Sequence, residues 1–150
     1  MNTEARQTRH ILLADDDIDD RELFQEALAE LQLDVDLVCM IDGLSLMNHL
    51  SQPRVQLPDM LFLDLNMPFK NGFECLDEIR SSSVLQQLYV VCYSTTASPS
   101  DIDRVRKSGA NLFLQKPDSF EDLKKLLQRL LQSDLKELNN ESSERRLGYI

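Results

Sequence analysis

Short apolar runs alternate along the chain with longer stretches whose apolar residues recur at helical spacing. His10 to Ala14, Val35 to Ile41, Met60 to Leu63, Leu88 to Tyr93 and Asn111 to Leu114 have strand length and nearly continuous hydrophobicity, the pattern of strands buried on both faces. Between them lie Leu23, Ala27 and Leu31; Leu44, Met47 and Leu50; Phe73, Leu76 and Ile79; Ile102 and Val105 ahead of Ser108-Gly109; and Phe120, Leu123, Leu127 and Leu130, each set on one helical face. Five strand-then-helix repeats predict a parallel sheet covered by helices on both sides, a doubly wound α/β domain. The last helical pattern continues through Leu135 and Leu138, so the last helix is expected to be extended before the polar stretch NNESSERRLGYI.

Turn residues agree with this division. Gln52-Pro53 and Leu57-Pro58 precede the third strand, Asn71-Gly72 opens the third helix, and Pro99 stands where a first helical turn tolerates it. Composition narrows the class. With 150 residues, 42% hydrophobic and 28% charged, the chain reads as one globular domain. The net charge of -10 argues against a nucleic-acid or acidic-membrane surface, since both require clustered Lys and Arg. Cys39, Cys75 and Cys92 are odd in number and form no C-x-x-C pair, which argues against a disulfide framework or a zinc site. No leader or spanning stretch is read at the start or elsewhere, so a cytoplasmic location is expected.

One segment departs from ordinary patterning. From Asp15 to Asp20 five of six residues are carboxylates, with Ile18 between them. Two like charges about 4 Å apart repel by roughly 1 kcal/mol in water and roughly 4 kcal/mol at a protein surface. Either these groups point apart, or something positive lies among them. In an open parallel sheet of order 2-1-3-4-5 the ligand site lies beyond the carboxyl ends of the first and third strands. There the first strand ends at Asp15 and Asp16 and the third at Asp64, while the fourth ends at Ser94, Thr95 and Thr96 and the fifth at Lys116-Pro117. Hard oxygen ligands of this kind bind Mg²⁺ beside a phosphate oxygen. A carboxylate so placed can act as a nucleophile in phosphoryl transfer, a reaction that is mostly positioning and charge neutralisation.

The motifs ILLADDD, LFLDLNMPFKNG, VVCYSTTA and LFLQKP, each ending a predicted strand in this order, resemble the receiver domain of two-component response regulators. The resemblance covers residues 9–131, with an N-terminal extension at 1–8 and a C-terminal helical extension and polar tail at 132–150. It implies a flavodoxin-like (βα)5 fold, strand order 2-1-3-4-5. It further implies Asp64 as phosphoacceptor, Asp15 and Asp16 as the acidic pair, and the Asn66 backbone carbonyl as a further ligand of Mg²⁺ or Mn²⁺. Lys116 corresponds to the family's lysine, followed by a proline often reached through a cis peptide, Ser94 to its switch hydroxyl, and Phe113 to its aromatic switch position. Thr95 stands where the family often has a smaller residue and could slow hydrolysis; Asp17 lies close enough to tune the site. Asp19 and Asp20 are read as acids favouring the first turn of a helix.

The implied function is that of a stand-alone response regulator, a phosphoacceptor and not an enzyme of turnover, which takes its phosphoryl group from a histidine kinase or phosphotransfer protein. Output would pass to a downstream protein target. Homodimerisation is open through the fourth helix, fifth strand and fifth helix or through the C-terminal extension. Three other readings are weaker on particular residues. An EF-hand beginning at Asp15 would need Gly where Asp20 stands. A flavin site would need a phosphate loop that Asp15 to Asp17 would repel. An aspartate-dependent phosphohydrolase would place a second acid where Asn66 stands. A receiver-like interaction module without phosphorylation is the fourth alternative, opposed by the presence of Asp15, Asp16, Asp64, Ser94 and Lys116 together.

Overall fold

Apolar runs that cannot satisfy their backbone groups alone pair into ladders, and here all five do so in one parallel sheet. The computed structural model describes residues 8–132. The order is β1 (Arg9–Ala14), α1 (Ile18–Leu31), β2 (Val35–Met40), α2 (Gly43–Leu50), β3 (Met60–Leu63), α3 (Gly72–Ser81), β4 (Val90–Ser94), α4 (Pro99–Lys107), β5 (Leu112–Gln115) and α5 (Phe120–Gln132). The strands lie in the order β2-β1-β3-β4-β5, the arrangement predicted from the alternation. The extension expected after α5 and the one at the amino terminus fall outside the described residues.

Period-two alternation sends neighbouring side chains of each strand into two separate cores. Ile11, Leu13, Phe62, Val91, Tyr93 and Leu114 meet α1 and α5. Leu12, Ala14, Leu61, Leu63, Val90, Cys92 and Phe113 meet α2, α3 and α4. On the first side Phe24, Phe62 and Tyr93 stack edge to face, with ring centroids 5.0 to 6.1 Å apart.

Three details differ from the sequence pattern. β2 is only partly buried: Val35, Leu37 and Cys39 pack in part against the core on the α1 and α5 side, while Asp36 and Val38 are exposed, as suits the strand at the edge of the sheet. In α1 the buried residues are Phe24, Ala27 and Leu28, while Leu23 is exposed, so the period is right but its phase is shifted by one residue. Leu44 of α2 is likewise exposed, and Leu46 packs in its place.

Helix ends are fastened by short polar side chains. Asn71 accepts from the Glu74 N–H, and Glu74 returns the bond to the Asn71 N–H, a capping box at α3. Ser98 caps α4 with Pro99 behind it. At the pole opposite the carboxyl ends of the strands, Arg80 of α3 ties two loops together, those that lead into β4 and β5. Its guanidinium donates to the carbonyls of Gly109 (2.9 Å), Gln86 (3.1 Å) and Leu88 (2.8 Å) and to Asn111 Oδ1 (2.9 Å). Asn111 Oδ1 in turn accepts the Val90 N–H. Arg80→Met, which keeps the aliphatic stem, is expected to cost about 2–4 kcal/mol in urea unfolding because several carbonyls lose a charged donor at once. The arrangement of residues at the far pole should be nearly unchanged.

Candidate functional site

Every candidate residue except Phe113, which lies within β5, sits on the rim formed by the carboxyl ends of the strands. β1 passes directly into Asp15, whose N–H donates to the Met40 carbonyl, and β3 passes into Asp64, whose N–H donates to the Ala14 carbonyl. Both acids are thereby held by sheet hydrogen bonds. Asp15 and Asp64 are buried, with 0% and 5% of their surface exposed, and Asp16 is exposed at the mouth. Asp16, Asp17, Ile18, Asp20, Asp64, Asn66, Thr95 and Lys116 line one open cleft of about 480 Å³.

Backbone donors orient the carboxylates. Asp15 Oδ1 accepts the Asp17 N–H at 3.0 Å, and Asp64 Oδ1 accepts the Asn66 N–H at 3.1 Å. The second oxygens, Asp15 Oδ2 and Asp64 Oδ2, turn toward the Lys116 ammonium, at 2.8 and 3.3 Å. Asp15 Oδ2 has no hydrogen-bonded donor; its approach to Lys116 is a contact of charges lacking hydrogen-bond geometry. Asp15, Asp16 and Asp64 each bring one oxygen within 4.8 Å of the others. Three carboxylate oxygens, one of them buried and without a donor, fit a hard divalent cation.

Electrostatics at this rim pull in two directions. Burial pushes the Asp64 carboxyl up to about 6, against the pull of Lys116 and the Asn66 N–H. Burial also works against the Lys116 charge, but the carboxylates around it outweigh that, and its pKa lies above the ordinary lysine value. The site keeps a carboxyl that is costly to ionise beside a cation that is hard to discharge.

The remaining residues fall as follows. Ser94, 1% exposed, ends β4, and its Oγ accepts the Thr96 N–H at 3.3 Å. Thr95 is exposed, and its carbonyl accepts from Gln115 Nε2. Phe113 is fully buried in the core that also contains Val105 of α4. Asp17 is the N-cap of α1, accepting from Asp19 and Asp20 N–H groups. No peptide bond among the described residues is cis, so the Lys116–Pro117 bond is trans and not cis as the resemblance suggested.

Two residues were missed in the sequence. Asp20, read there as a first-turn acid, does stand in the first turn of α1 and in addition places Oδ2 2.8 Å from Lys116 Nζ. Arg21 donates from Nη1 to the Asp15 carbonyl at 2.8 Å. A signal for Asp20 did exist: it stands three residues after the N-cap, where a carboxylate would normally return to the N-cap N–H, but that N–H already belongs to Asp15.

Backbone contact sets how closely the loop carrying Asp64 can approach α3. The Gly72 N–H donates to the Leu65 carbonyl at 3.0 Å. A Cβ at Gly72 would collide with the Asp64 carbonyl oxygen and lie 2.7 Å from Leu65 Cα. Gly72→Ala is therefore expected to cost about 1–3 kcal/mol of stability and to weaken the affinity of the carboxylate cluster for a divalent cation, read by urea unfolding and by metal titration of the same preparation.

Comparison with known proteins agrees with this geometry. The sequence model of the family described as response regulator receiver domain matches residues 11–128. Response regulator Rcp1 of Synechocystis is 33% identical over 135 residues, covering 85% of this chain and 90% of Rcp1. Among solved structures, the phosphorylated cyanobacterial phytochrome response regulator RcpA is similar, with a TM-score of 0.77 at 31% identity over 83% of this chain and 91% of that one. The Mn²⁺-bound form of Rcp1 has a TM-score of 0.75 at 30% identity, over 89% and 97% of the two chains.

Proposed function

The chain belongs to the receiver-domain family of two-component response regulators, and from that premise we propose that it is phosphorylated on Asp64 in a Mg²⁺-dependent reaction and signals by altered protein contacts. Receivers are signalling phosphoacceptors that interact with histidine kinases and downstream targets. The observation that carries the assignment is the convergence of Asp15, Asp16, Asp64 and Lys116 where β1, β3 and β5 end.

In this reading one Asp64 carboxylate oxygen attacks the phosphorus of the donor. The new O–P bond forms as the bond from phosphorus to the donor's leaving atom breaks, and the leaving group keeps the electron pair. Lys116, already 3.3 Å from Asp64 Oδ2, would give an N–H to a phosphoryl oxygen. Ser94 would donate its hydroxyl proton to another, since Oγ serves as acceptor for Thr96. Asp15, Asp16, Asp64 and the Asn66 carbonyl would hold the cation. Mg²⁺, when bound, would neutralise charge on the phosphoryl oxygens. The Asn66 position supplies no second acid, which favours a persistent phosphoryl group over rapid turnover, and Thr95 at the mouth would narrow the approach of water.

Output would follow from a shift in population between two packings. Ser94 drawn toward the phosphoryl group would move the end of β4, and Phe113, in the same core as Val105 of α4, would transmit the change to the surface formed by α4, β5 and α5. That surface is also the proposed place for a downstream target or a second copy. No helix among the described residues is long and apolar enough to cross a membrane, and action in the cytoplasm is part of the proposal.

The test is intact mass after incubation with Mg²⁺ and acetyl phosphate, with beryllofluoride binding in parallel. One Mg²⁺-dependent, base-labile phosphoryl adduct per chain is expected. No adduct and no beryllofluoride binding would favour an interaction module that keeps the fold without the chemistry.

A further inference from the structure

Lys116 is shared between two duties, and the shorter of its hydrogen bonds goes to a cleft-lining residue that the proposed reaction does not use. Its ammonium donates to Asp20 Oδ2 at 2.8 Å and to Asp64 Oδ2 at 3.3 Å. An ammonium has three donors in all. A phosphoryl group on Asp64 needs one of them, and its negative charge would stand beside the Asp20 carboxylate bonded to the same nitrogen.

The position of Asp20 is not left to a mobile loop. It occupies the third residue of α1, whose first turn is pinned by the Asp17 cap. Arg21, the next residue, is tied to the Asp15 carbonyl. The capping partner that would otherwise hold the Asp20 carboxylate, the Asp17 N–H, is engaged by Asp15 Oδ1. The Asp20 side chain is thus aimed at Lys116 by a rigid helix turn, and it is only 29% exposed there.

We infer that Asp20 is a positioning residue which draws Lys116 toward α1 and competes with the phosphoryl group for it, lowering the rate and extent of Asp64 phosphorylation. The inference rests on Asp64 being the phosphoacceptor. Asp19, exposed in the same turn, supplies a control for charge alone, because neutralising it changes the field at the cleft without breaking the Lys116 contact.

The experiment compares wild type with Asp20→Asn, Asp20→Ala and Asp19→Asn in beryllofluoride affinity and in the initial rate of labelling by acetyl phosphate at saturating Mg²⁺, after thermal melts show that each is folded. Both Asp20 variants are expected to bind beryllofluoride about five- to tenfold more tightly and to label correspondingly faster, as suits release of one charge-assisted hydrogen bond. Asp19→Asn should change either quantity by less than about twofold, as suits an exposed charge. Labelled wild type with no gain in the Asp20 variants, or an equal gain in Asp19→Asn, would overturn the competition and leave the Asp64 assignment intact. A wild type that neither labels nor binds beryllofluoride would overturn both.

Discussion

Asp64→Asn is expected to abolish phosphoryl uptake and, in the absence of metal, to make the protein more stable by about 1–3 kcal/mol at neutral pH. The first effect follows from removing the proposed nucleophile: an amide oxygen in that place carries no charge and cannot yield a stable acyl phosphate. The second follows from the cost of ionising a carboxyl that is 5% exposed and lies beside Asp15. Burial raises its pKa from the ordinary 3.8 to about 6. Between those two values the folded chain binds more protons than the unfolded chain, so the stability of the metal-free wild type falls as pH rises through this window. Above about 6 the full cost is present. Asp64→Asn should flatten that part of the profile, measured by urea unfolding with chelator from pH 4 to 7. With Mg²⁺ added, wild type should recover stability by mass action and the variant should gain less. An unfolding curve for Asp64→Asn that is less stable than wild type under chelator would contradict this account.

Lys116→Met should act with the opposite sign on stability. Lys116 Nζ contacts Asp15, Asp20 and Asp64 within 3.3 Å, and no other Lys or Arg among the residues lining the cleft does so. Taking away the cation leaves buried Asp15 and Asp64 with no counter-charge, a change that commonly costs about 3–5 kcal/mol when a buried pair is broken. Here a loss nearer 1–3 kcal/mol is expected, because the acids can take up a proton and Asp20 can turn to water. Labelling by acetyl phosphate should fall by at least about 100-fold, the usual consequence of losing one donor aimed at developing charge. Saturating Mg²⁺ should restore much of the stability and little of the rate, since a metal can offset charge on Asp15 and Asp64 without standing where the ammonium stands. Labelling within a few-fold of wild type would remove Lys116 from the reaction.

The opposite signs of these two substitutions describe what the site is. Acids are crowded where β1 and β3 end, so the metal-free fold carries repulsion that a bound cation would relieve. A fold selected for stability alone would place neutral residues there.

The strand and helix order, the parallel sheet and the rim that collects Asp15, Asp16, Asp64, Ser94 and Lys116 could all be derived from the sequence, because each depends on periodicity and on topology rules that act at the level of whole elements. Residues at strand ends inherit their place from the strand, so Asp64 follows Leu63 to the rim whatever its side chain does. The acidic run from Asp15 to Asp20 was legible as an anomaly but not as an arrangement. Within it Asp15 is buried, Asp16 stands at the mouth, Asp17 caps a helix and Asp20 grips Lys116, a residue 96 positions away in the chain. Only the tertiary structure decided those roles. Each depends on the direction of one side chain and on which donor has already been taken, and a hydrogen bond is settled by distances of a few tenths of an ångström. The same limit explains the phase of α1, where Phe24 and not Leu23 is buried: a helical pattern fixes the spacing of a face, while the neighbouring strands decide which residue of two adjacent ones turns inward.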